Sequence, residues 1–143
     1  MHCRDAVIPL GSIAIQHRVG HVMITRTHYN EIESYITQDG SHIRELMHPT
    51  IHGNREQSLA EATVPAGGMT HLHRHRKSEE LYHITQGYGI MVLGNEHIAV
   101  SAGDTVFIPQ GIAHRIENTG DSVLILLCSC SPPYARDDTE IMA

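Results

Sequence analysis

At 143 residues and 15.9 kDa, with 41% hydrophobic residues, the chain has the size and the apolar content of one ordinary globular domain. Ten Lys and Arg against sixteen Asp and Glu leave a net charge of −6 with histidine neutral, which argues against a nucleic-acid binder or an anionic-membrane binder. No G-x-S-x-G elbow, phosphate loop or G-x-G-x-x-G fingerprint is present, Lys77 is the single lysine, and the unusual count is thirteen histidines.

Residues 6–15 are apolar, but Asp5 and Pro9 interrupt the pattern and no A-x-A site precedes His17 and Arg18, so they do not read as a signal peptide. No stretch reaches the roughly 18 apolar residues of a membrane span. Met23 offers a second start, and residues 1–22 are expected to be a flexible extension. The three cysteines, Cys3, Cys128 and Cys130, form no disulfide framework, and the expected compartment is the cytoplasm. Cys128 and Cys130 share one face if they lie on a strand, and read as small buried hydrophobes.

Residues 23–56 read as an N-terminal strand followed by a long connection. HVMITRT (21–27) is the strand, 30–37 reads equally as a short helix or a strand, and 38–56 is the connection. A connection of that length is usually functional, or covers an edge or a partner. From residue 57 the chain becomes short apolar runs: 57–64, 69–75, 79–85, 89–93, 97–100, 105–108, 112–116 and 122–130. They are broken by PAGG, QGYG, LGNE, SAGD, PQG and NTGD, a pattern that predicts an all-β barrel or sandwich over 57–131. Pro132-Pro133 ends the last strand and leaves 132–143 as a tail, loose or packed on the outside.

The histidines cluster where the strands are. Gly67, His73, His75, Glu80 and Gly87 follow one another at fixed intervals, and on a strand His73 and His75 project side by side. Glu80, just past a turn, can fold back into the same space. Gly103, Pro109, Gly111, His114 and Asn118 form a second series whose histidine can close the set from a neighbouring strand. Three imidazoles and a carboxylate suit a divalent transition metal with open positions.

The two series resemble the paired signature motifs of the cupin superfamily, G-x5-H-x-H-x3/4-E-x6-G and G-x5-P-x-G-x2-H-x3-N, at all ten specified positions. The fifteen residues between Gly87 and Gly103 resemble the short gap of small single-domain bacterial cupins. The resemblance implies a double-stranded β-helix (jelly-roll) barrel with an N-terminal strand or arm. It also implies that His73, His75, Glu80 and His114 hold one divalent metal ion inside that barrel, with iron or manganese favoured over zinc, nickel or cobalt. Small cupins commonly pair, so a homodimer is expected, with residues 21–56 as material for the contact. His71 extends the motif to H-x-H-x-H, and reads either as a group at the cavity mouth or as an exposed turn histidine.

Parity from the ligands predicts the lining. Tyr82 and Ile84 should share the face of Glu80, and Ile112 and Ile116 that of His114. Met91, Gln57 and Glu61 are lining candidates without a ligand to anchor their register. Arg74, Arg76 and Arg115 should point outward. Many small cupins carry a mannose-6-phosphate-isomerase label, but a phosphosugar needs basic groups, and only Arg44 or Arg55 of the connection is left to supply them. The expected function is a metal-dependent enzyme acting on a small oxygen-rich molecule, of dioxygenase or isomerase/lyase type, assisted by Tyr82 or His71. The alternative is a binding or sensing module that holds such a molecule without turnover.

Overall fold

The computed structural model describes residues 14–20 and 22–142. Thirteen strands occur among them: β1 (Ile15–Val19), β2 (Val22–Arg26), β3 (Tyr35–Ile36), β4 (His42–Met47), β5 (Ser58–Val64), β6 (His73–His75), β7 (Glu79–Gln86), β8 (Tyr88–Leu93), β9 (Glu96–Ser101), β10 (Thr105–Ile108), β11 (His114–Asn118), β12 (Leu124–Ser131) and β13 (Thr139–Ile141). One helix of four residues, α1 (Pro49–His52), is capped by His48, whose Nδ1 accepts the Thr50 N–H. The eleven strands after β2 divide into a six-stranded sheet, β10-β7-β12-β5-β4-β3, and an antiparallel five-stranded sheet, β13-β6-β11-β8-β9, with β11 between β6 and β8. This is the cupin jelly-roll barrel that the motifs imply.

Alternation builds it. In β5, β7 and β12 every second residue is buried, and these inward rows meet in a core whose fully buried members include Ile84, Met91, Ile108, Ile116, Leu124 and Leu126. Gly87 turns β7 into β8 at φ +84°, where a Cβ would lie 2.9 Å from the Val123 carbonyl, so a side chain is excluded twice over.

The flanks differ from expectation. The connection over 38–56 contains β4, which pairs with β5, together with α1. The segment 30–37 is both things at once, a 3₁₀ turn at Tyr29–Glu31 and then β3. The extension expected over 1–22 falls largely outside the described residues, but Ile15–Val19 is a strand paired with β2. The tail is not loose: β13 pairs with β6 and extends the five-stranded sheet. The signal was hidden because Thr139 and His75, opposite each other in that pairing, lie 64 residues apart in the chain.

Candidate metal centre

β6 and β11 present His73, His75 and His114 from the five-stranded sheet, and β7 presents Glu80 from the six-stranded sheet. All four are buried, and their donor atoms lie within 4.8 Å of one another. The turn delivering His114 depends on Gly111, at φ +78°, whose N–H donates to the His75 carbonyl at 2.7 Å. The two histidine strands are thus tied together at the site itself.

Each imidazole is oriented by its outer nitrogen. His73 Nδ1 lies 2.8 Å from the His71 carbonyl, and His114 Nδ1 2.9 Å from the Ile112 carbonyl. A carbonyl only accepts, so both rings carry their proton on Nδ1 and turn an Nε2 lone pair inward. His75 Nδ1 lies 3.1 Å from Thr139 Oγ1, whose own proton goes to the Ala135 carbonyl, so Thr139 also accepts from the ring. Glu80 Oε2 lies 3.1 Å from His75 Nε2 and 3.2 Å from His114 Nε2. Its Oε1 accepts from the Cys130 thiol at 3.3 Å. His114 Nε2 is fully buried and has no hydrogen-bond partner of acceptable geometry.

The electrostatics are those of a carboxylate surrounded by imidazoles. Burial works to raise the Glu80 carboxyl, but the adjacent His114 and His75 imidazoles outweigh it and hold the group well below the usual carboxylate range. Burial lowers His75, yet Glu80 overcomes that and leaves it raised. His73, further from the carboxylate, is lowered by burial and by its neighbour His114. Three inward lone pairs, one carboxylate and an orphaned buried nitrogen fit a divalent transition metal ion.

His73, His75 and Glu80 lie on the wall of a cavity of about 50 Å³, and His114, fully buried, adjoins them. Tyr82 and Ile116 line it as parity predicts, and the Tyr82 ring meets the His114 ring edge-on at 5.9 Å. Burial keeps Tyr82 a neutral phenol. Ile84 faces inward but lies in the core rather than on the cavity wall, as does Met91. Ile112 is corrected: it precedes β11 in the Gly111 turn, so strand parity does not reach it, and it is exposed. Gln57 and Glu61 are also corrected. β5 turns Ser58, Ala60, Ala62 and Val64 inward, which leaves Gln57 exposed and Glu61 outside, accepting the Tyr29 hydroxyl at 2.6 Å.

His71 is exposed and its ring is not part of the cavity wall; its carbonyl orients His73, and its N–H donates to the Asp39 carbonyl at 2.7 Å. Arg74 pairs with Glu140 at 2.8 Å and Arg115 with Glu117 at 2.7 Å, while Arg44 stacks over the Tyr29 ring. Among the described residues no Lys or Arg side chain lines the cavity.

Sequence reasoning missed Asp39, Glu45, Tyr134 and Thr139, all on the cavity wall and all from the flanks. Asp39 Oδ1 is fixed by the Ser41 N–H at 2.9 Å and the Ser41 hydroxyl at 2.6 Å, and its Oδ2 lies 3.8 Å from His73 Nε2. The one hint was Gly40, in a T-Q-D-G-S turn.

A family model of the cupin domain matches residues 60–130, and the chain belongs to the cupin superfamily. It is 52% identical over 119 residues to an uncharacterized protein of Methanocaldococcus jannaschii, covering 83% of this chain and 95% of that one. It is 33% identical over 84 residues to the oxalate-binding protein of Thermotoga maritima, covering 59% of this chain and 65% of the relative. Its fold is similar to the crystal structure of a predicted oxalate decarboxylase from Thermotoga maritima, with a TM-score of 0.64 at 26% identity over 73% of this chain and 96% of that one. No helix among the described residues is long and apolar enough to cross a membrane.

Proposed function

We propose that this chain is a metal-dependent cupin that binds a small, oxygen-rich carboxylic acid of about the size of oxalate and acts on it at the ion. The observation that carries this reading is the convergence of His73, His75, Glu80 and His114, whose ligand atoms lie within 4.8 Å of one another at the edge of one cavity that three of them line. Size supports it: a cavity of about 50 Å³ holds on the order of four waters. That space suits a molecule of a few non-hydrogen atoms and is too small for a phosphosugar. Charge supports it as well, because with no Lys or Arg among the described residues of the wall an anionic ligand depends on the bound cation for its counter-charge.

His73, His75, Glu80 and His114 would hold the ion. Bound there, a divalent metal supplies Lewis-acid polarisation of a carboxylate or carbonyl oxygen and, if redox-active, a site for oxygen. The His71 and Ile112 carbonyls and Thr139 fix the imidazole tautomers. Tyr82, a neutral phenol edge-on to His114, is placed to donate a hydrogen bond to the bound molecule. The apolar side chains of Ile43, Val64, Ile116 and Leu126 limit the water that shares the cavity.

Iron or manganese remains the favoured ion, and the reaction is of dioxygenase or lyase/isomerase type. Activity only with a redox-active metal marks the first, and activity retained with zinc the second. A second reading, binding without turnover, is supported by the name of the Thermotoga maritima relative, an oxalate-binding protein. One experiment tests both: titrate manganese-loaded protein with oxalate and follow oxalate by mass spectrometry. Binding with consumption is the expected result. Binding without consumption favours the second reading, and no binding contradicts both.

A homodimer is also proposed. Phe107 of β10 pairs with Leu81 of β7, Leu81 with Ser129 of β12, and Ser129 with Leu59 of β5. Phe107, Leu81 and Leu59 are exposed on the outer face of the six-stranded sheet. Such an apolar row suits a second copy of the chain.

A further inference from the structure

The cavity holds a carboxyl that the metal-binding quartet does not use. Glu45 projects inward from β4 and is 3% exposed. Its Oε1 accepts the Tyr35 hydroxyl at 2.8 Å, while its Oε2 is buried with no hydrogen-bond partner among the described residues. A buried carboxyl oxygen left unpartnered is destabilising, and such groups persist where something outside the protein completes them.

Register gives its place. Glu45 lies opposite Ala60 of β5, Ala60 opposite Cys128 of β12, and Cys128 opposite Tyr82 of β7. The adjacent inward row is Ser58, Cys130 and Glu80. Glu45 thus stands three strand spacings from the Glu80 strand, on the order of 14 Å along the curved sheet. The wall between them carries only small side chains: Ala60, Cys128, Ser58 and Cys130.

Among the described residues no Lys or Arg side chain lines the cavity beside Glu45, and Asp39 and Glu80 already bring two carboxyl groups. Both ring nitrogens of His48 are engaged away from Glu45, Nδ1 accepting the Thr50 N–H and Nε2 donating to the Tyr134 carbonyl at 2.8 Å.

We propose that Glu45 is a ligand-contacting acid, whose Oε2–H donates a hydrogen bond to the oxygen of the bound molecule that points away from the metal-binding quartet, with Tyr35 fixing the plane of the carboxyl. The inference rests on the chelation reading above. Burial raises the Glu45 carboxyl against the opposing hydrogen bond from Tyr35, in agreement with a neutral acid. The consequence is selectivity for a molecule with oxygen at both ends over one that offers only a metal-binding group.

The test uses manganese-loaded wild type, Glu45→Gln and Glu45→Leu. Each is titrated with oxalate and with azide, a probe that reaches only the metal, and binding is read from the electron paramagnetic resonance of the manganese. Infrared spectra of the metal-free proteins supply an independent readout, the C=O stretch of a protonated carboxyl. Oxalate should bind Glu45→Leu about tenfold more weakly or worse and Glu45→Gln within about threefold of wild type, because the amide still donates. Azide should bind all three alike, and the carboxyl band should be present in wild type and missing from both variants. Unchanged oxalate binding in Glu45→Leu overturns the inference, as does an equal loss of oxalate and azide or a wild type without the carboxyl band. Wild type that binds manganese and azide but not oxalate overturns the substrate reading, and this inference with it.

Discussion

Thr139 Oγ1 lies 3.1 Å from His75 Nδ1 while giving its own proton to the Ala135 carbonyl at 3.0 Å. That pairing fixes the orientation of the His75 ring, with Nε2 facing Glu80. The residue that orients a motif histidine therefore comes from the last strand of the chain.

Thr139→Val keeps the shape of the side chain and removes the acceptor. Metal affinity should fall about 10- to 100-fold, with circular dichroism unchanged. Thr139→Ser should restore most of it. Competition against a chelating dye measures both, and a Val variant equal to wild type would show that the ring is held by packing alone.

Metal binding should release protons near neutral pH. Glu80 holds His75 above its ordinary value in the metal-free protein, so part of that imidazole is protonated there and must lose its proton to bind. Affinity should therefore rise with pH through the histidine range and level off above it. His73, lowered by burial, is already neutral and adds little. Calorimetry in buffers of different ionisation enthalpy counts the protons. In Glu80→Gln the release should shrink, because the anion that raises His75 is gone.

Asp138 pins the turn between β6 and β7, the two strands that carry His73, His75 and Glu80. Its carboxylate accepts the Lys77 N–H at 2.9 Å, and the Ser78 N–H and hydroxyl at 3.1 Å each. Asp138→Ala leaves the buried Ser78 N–H without its acceptor and should destabilise the metal-free protein by about 2–3 kcal/mol. Urea unfolding at fixed pH tests this, and a loss under about 0.5 kcal/mol, the range of an ordinary surface substitution, would contradict it.

The outer row of Phe107, Leu81 and Leu59 predicts where a second copy sits. Leu81→Asp and Phe107→Asp should shift the protein from dimer to monomer in light scattering at micromolar concentration, with metal content unchanged. A monomeric wild type, or a dimer indifferent to both changes, would place the contact elsewhere or remove it.

The quartet was legible because each of its two series is local: His73 and His75 share a three-residue strand with Glu80 one turn further on, and His114 opens β11 just after Pro109 and Gly111. Parity worked wherever a ligand anchored a strand, turning Tyr82 and Ile116 inward and Arg74 and Arg115 outward. It failed at Ile112, which lies in a turn, and at Gln57 and Glu61, where nothing in the sequence set the phase of β5. Asp39, Glu45 and Thr139 were illegible for a different reason. Their roles arise from strand pairing between distant segments, and a single sequence carries no record of which edge β4 or β13 will join.

The central claim is that His73, His75, Glu80 and His114 hold one metal ion. Elemental analysis by plasma mass spectrometry tests it most directly, on tag-free protein never exposed to a nickel column, beside a His114→Ala variant shown by circular dichroism to be folded. Wild type should carry about one equivalent of iron or manganese per chain, and the variant little or none. Metal-free wild type, or equal metal in both proteins, would contradict the claim.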